Sequence, residues 1–171
     1  MLGHVLGSSI FAFATMLASV LTGIALGGAF AASIARDRRI AAYGFATLQF
    51  LIAGAAAFIY AKLAHWVPAE GGLNHHPWLA MLLLLPATLA IGATYPFAVR
   101  ILANDGTAAA AAARVYSWNT VGAVFGALLA GLAILPALRY EGTAQYAIGA
   151  NLLLALAVLV LVVRTRLPWV I

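Results

Sequence analysis

Apolar residues run through this chain in long blocks separated by short polar breaks. A helix needs roughly 20 mostly apolar residues to cross the hydrocarbon of a bilayer. Five blocks reach that length, and they predict helices over about 5–34, 40–66, 78–103, 107–138 and 144–163. The first is closed by Arg36-Asp37-Arg38-Arg39, and the second ends at Trp66 with Lys62 placed to snorkel. A polar loop with Pro68, Gly71-Gly72 and Asn74-His75-His76 follows. Pro86 and Pro96 interrupt the third helix, and each removes a backbone donor, so a kink is expected at one or both. Asn104-Asp105-Gly106-Thr107 reads as a turn in which Asp105 or Thr107 could cap the fourth helix. Arg139-Tyr140-Glu141-Gly142 reads as a tight turn before the fifth. The expected fold is all-α: a single polytopic transmembrane bundle over 1–171.

Composition strengthens this picture. Of the 171 residues 65% are hydrophobic and only 8% charged, with mean hydropathy +1.06. A soluble domain carries about a quarter charged residues, because its surface has to be wetted. The expected solvent is therefore lipid. The net charge of +5 argues for headgroups rather than nucleic acid, because the basic residues end apolar runs and form no stripe interleaved with aromatics. The chain has no cysteine, which excludes disulfides, thiolate metal sites and cysteine nucleophiles.

Charge also predicts orientation. Arg36, Arg38, Arg39, Arg100, Arg114, Arg164 and Arg166 fall on one side, Lys62 and Arg139 on the other. The first side, with its basic cluster Arg36, Arg38 and Arg39, should be cytoplasmic. The C-terminus is then inside and the N-terminus outside, in a bacterial inner membrane. The N-terminal segment has no basic n-region and its apolar run is too long for a signal peptide, so it reads as a spanning helix. An odd helix count with an external start suggests one helix missing before Met1.

Helices in lipid associate through small residues. Gly3, Gly7, Ser19, Gly23 and Gly27 lie at multiples of four on the first helix. Gly122 and Gly126 do so on the fourth, followed by Ala127 and Gly131. Gly54 and Gly149 stand on the second and fifth. Polar residues inside the spans are few: Ser8, Ser9, Gln49, Thr88, Thr94, Tyr95, Asn119, Gln145 and Asn151. Asn119, one turn before Gly122, is expected to bond to a neighbouring helix, with a substrate contact as the alternative. Together with Gly23, Gly27, Gly122, Gly126 and Gly131 it marks a helix-packing face or a possible pore. No Asp or Glu falls within a span, which argues against a proton relay or a polyamine site. His65, Glu70, His75 and His76 cluster near the external loop, but their spacing reads as a solvated interface rather than a metal site. No catalytic, cofactor-binding or metal motif is present.

Three stretches give a resemblance. They are Gly7-Ser8-Ser9-Ile10-Phe11-Ala12-Phe13 with Leu21-Thr22-Gly23-Ile24-Ala25-Leu26-Gly27; Leu85-Pro86-Ala87-Thr88 with Ile91-Gly92-Ala93-Thr94-Tyr95-Pro96 before Arg100; and Tyr116-Ser117-Trp118-Asn119-Thr120-Val121-Gly122 with Gly126, Gly131 and Leu135-Pro136. In order and spacing they resemble the membrane domain of bacterial proteins that fuse a major-facilitator-like bundle to a spermidine-synthase-like domain. Members of that family carry a further helix before the match to Gly7, and restoring it would give a six-helix major-facilitator half. The aminopropyltransferase domain has no counterpart here. The resemblance therefore implies an integral membrane module that anchors or regulates a polyamine-related enzyme on a separate chain. The alternatives are half of a small-molecule transporter, or a small subunit of a larger membrane complex. The partners expected are the bilayer, other membrane helices (a second copy or a larger complex) and an aminopropyltransferase chain.

Overall fold

The computed structural model describes residues 2–66, 77–103 and 106–165, with side chains over 13–14, 16–61, 84–103 and 106–162. The described residues form helices and their connections, without a strand. The helices are α1 (Leu2–Ile34), α2 (Arg38–Trp66), α3 (Pro77–Leu102), α4 (Ala108–Leu129), a π-helical turn (Ala130–Ile134) and α5 (Leu135–Thr165). Among the described residues, four stretches are long and apolar enough to cross a membrane: Met16–Ile34, Arg38–Ala61, Leu84–Leu102 and Ala108–Val162.

Between α1 and α2 the sequence sets a sharp stop and restart. The Asp37 carboxylate accepts the Ile40 N–H at 2.7 Å, and the Asp37 carbonyl accepts that of Ala41 at 3.0 Å. Asp37 is thus the N-cap of α2, satisfying a donor that a helix start leaves bare. A cap was expected instead at the start of α4. There Thr107 holds the cap position without a side-chain capping bond, while Asp105 lies outside the described residues. Pro86 and Pro96 both sit inside an unbroken α3. Pro96 leaves the Gly92 carbonyl without its intrahelical donor.

The predicted four-residue turn at Arg139 takes a different form. Helical structure continues through Leu135–Thr165, and Arg139 alone departs from it, at φ 56°, ψ −173°. The Thr143 hydroxyl donates to the Arg139 carbonyl at 2.6 Å, so the helix restarts at once around the bent residue. A side chain is strained in this backbone region, which glycine enters freely. Arg139→Gly is therefore expected to stabilise the fold by about 1 kcal/mol, read as a later midpoint in denaturant titration. An earlier midpoint would show that the arginine side chain contributes more than its backbone costs.

The central element is α3, which packs against both α1 and α2; α5 packs against α2. A small core of Ala31, Ala41, Ala93 and Phe97 joins the first three helices near their arginine-rich ends. Packing is inverted relative to a water-soluble protein. Among the described residues, ten of the twelve buried hydrophobic side chains are alanine, the exceptions being Phe97 and Val162. Large side chains such as Phe13, Phe30 and Leu132 point outward. Soluble cores are built from large apolar side chains, whereas helices in lipid meet through small ones.

Candidate functional site

The tightest contact is the crossing of α1 and α3. A methyl group at Gly27 would overlap the Leu89 carbonyl, and one at Gly92 would overlap the Ile24 backbone. At Gly23 it would strike the Thr88 side chain. Gly23 and Gly27 were readable from their four-residue spacing. Gly92 carries the reciprocal contact, and sequence reasoning did not assign it that role, although Thr88 stands four positions before it on the packed face. On α2, Gly44 receives the Phe97 ring, and a β-carbon there would lie 2.8 Å from the ring's Cζ.

Polar residues of the spans are mostly satisfied within their own helices. Thr88 donates to the Leu85 carbonyl at 3.0 Å, Thr94 to Ile91 at 2.6 Å and Asn151 to Ala147 at 2.8 Å. Such local bonds answer the cost of a hydroxyl or amide in an apolar setting. Gln49, Ser19 and Thr88 are buried, and Gln145 lines the hollow at the Arg139 kink. Ser8, Ser9 and the side chain of His65 lie outside the described side chains; Glu70, His75 and His76 lie outside the described residues.

α4 stands apart from this arrangement. Its first turns are tied to α3: the Tyr95 hydroxyl donates to the Ala112 carbonyl at 3.2 Å, and Ala111 is buried. From residue 116 to 129 every position is exposed. Gly122, Gly126 and Gly131 have nothing within 4 Å of where a β-carbon would stand, and the same holds for Gly54 and Gly149. Asn119 was expected to bond to a neighbouring helix. Within this chain its side chain is exposed and makes no hydrogen bond among the described residues, because α4 diverges from α3 above Ala112. The face carrying Asn119, Gly122 and Gly126 is therefore open.

Two apolar clefts flank α3. One, of about 490 Å³, lies among Leu26, Phe30, Leu48, Leu51, Pro86 and Leu89. The other, of about 230 Å³, lies between α2, α3 and α5 near their arginine-rich ends. Arg39 stacks over the Tyr43 ring at 5.8 Å, and Arg36 and Arg38 are exposed beside it. Arg100 closes the last turn of α3, where a cation is favoured.

No family model, curated protein or solved structure matches this chain. The fold thus defines a class by physics alone: its described residues are helical, with four helical stretches among them long and apolar enough to cross a membrane.

Proposed function

We propose that this chain is an integral membrane module that docks another membrane helix on α4, and through that contact anchors or regulates an enzyme carried on a separate chain. The observation that carries this reading is the open face of Asn119, Gly122 and Gly126. An asparagine amide facing hydrocarbon has no partner, whereas a second helix can supply one and approach closely over the glycines. By its resemblance to spermidine-synthase-like fusion proteins, the enzyme is an aminopropyltransferase. The apolar lining of the clefts and the absence of a carboxylate within the predicted spans support docking over the passage of a polyamine.

The stretch Ala108–Val162 has 55 residues. As one straight helix it would be about 80 Å long, against a hydrocarbon thickness of about 30 Å. We read the bend at Arg139 as the point where it leaves the membrane and re-enters, which makes five crossings. The arginine-rich ends then face the cytoplasm of a bacterial cell, with the N-terminus outside, and the bundle is the larger part of a major-facilitator-like half.

Purification in mild detergent tests the reading. The chain is expected to co-elute with a second membrane polypeptide or an aminopropyltransferase, and proteoliposomes holding this chain alone should take up no labelled spermidine. Elution as a lone monomer, or saturable spermidine uptake, would contradict it.

A further inference from the structure

The cleft of about 230 Å³ between α2, α3 and α5 has a form that docking on α4 does not use. Its walls are apolar, with Ala42, Phe45, Ala98, Leu154 and Val158 among them, and Arg38 stands at one end. From Arg38 to Phe45 it follows α2 for about 10 Å, so it is a slot running inward from the charged end. The arginine is exposed at the mouth. Asp37 keeps its negative charge while it caps α2 at Ile40, but it is one carboxylate against Arg36, Arg38 and Arg39, so this end of the slot carries a net positive charge. On α5, Arg164 follows the lining residue Val162 by two positions, at the same end.

A narrow apolar slot with a cation at its mouth is complementary to one kind of molecule: an anionic glycerophospholipid, with an acyl chain between the helices and its phosphate at the arginine. Free phosphate would leave the slot empty, and a neutral lipid would leave Arg38 without a counter-charge. Basic pockets between membrane helices bind anionic headgroups by this logic. We propose that the cleft between α2, α3 and α5 is a binding site for one anionic phospholipid of the leaflet that faces the arginine-rich ends. The proposal rests on the bilayer setting and is independent of what docks on α4.

Native mass spectrometry of the full-length chain, released from detergent with added phosphatidylglycerol or phosphatidylcholine of identical acyl chains, tests it. One phosphatidylglycerol should be retained about fivefold more tightly than phosphatidylcholine, the effect of one arginine at a membrane surface. Arg38→Gln should erase that preference, while Lys62→Gln, an equal loss of charge elsewhere, should keep it. Val158→Phe, which fills the slot, should weaken retention of both lipids, and glycerol phosphate should displace neither. A preference that survives Arg38→Gln, retention unchanged by Val158→Phe, or displacement by glycerol phosphate would each overturn the proposal. A chain that stays dissolved without detergent would instead remove the bilayer setting itself.

Discussion

Gly92→Ala should loosen the crossing of α1 and α3 and destabilise the fold by about 3 kcal/mol, the upper part of the usual range for overpacking. The added methyl would come within 2.5 Å of the Ile24 α-carbon and 2.7 Å of its carbonyl carbon. A side chain could rotate away from such a clash, but backbone cannot, so α1 would have to move as a unit. That movement would also open the Gly27 contact with Leu89 on the same seam. Gly54→Ala is the matched control, because a β-carbon there meets nothing within 4 Å. In a helix interior it should be neutral or stabilising by roughly 0.5–1 kcal/mol. Denaturant titration of the two variants in detergent separates the cases; equal midpoints would show that the crossing is not the tight contact described.

The second large effect falls on assembly rather than folding. Asn119→Leu and Gly126→Leu lie on the exposed part of α4, where no neighbour of the same chain is displaced. Each should leave the denaturation midpoint within about 0.5 kcal/mol of the parent. Asn119→Leu should remove the proposed interhelical hydrogen bond, worth about 0.6–1.7 kcal/mol in membranes, a loss of roughly three- to eighteenfold in association. Gly126→Leu should hold a docking helix off the glycine face, and together with Asn119→Leu it should abolish the proposed association. Fluorescence energy transfer between labelled chains in vesicles would measure this. Unchanged transfer in the double variant would place the contact elsewhere.

How much of this was legible in the sequence depends on the range of the forces involved. Helix positions were readable because hydrophobic block length is a local property, and the ends at Ile34 and Trp66 fall where the sequence places them. Gly23 and Gly27 were readable because small residues four apart share one face. Their opposite surface at Thr88 and Leu89 was not, since it depends on how α3 tilts across α1. The Asp37 cap was within reach: an acid immediately before Arg38 and an apolar run is a helix-start signal, but it stands inside an arginine cluster that draws attention to charge. Nothing in Ala130–Ile134 announces a π-turn, and the bend at Arg139 occupies one residue where the turn-like tetrapeptide suggested four. Most informative is α4, where the sequence shows glycine spacing and an asparagine, whereas only the structure shows that no helix of the same chain covers them among the described residues.

The central claim is that the outward-facing large side chains are solvated by hydrocarbon. The chain has no cysteine, so single cysteines can report on this against a silent background. In sealed membrane vesicles, Phe125→Cys and Leu132→Cys should resist a water-soluble maleimide, although both parent side chains are well exposed on the isolated chain, 62% and 77%. Tyr140→Cys, beside the Arg139 bend, should react once the reagent reaches its side of the membrane. Labelling of all three at one rate would contradict the account.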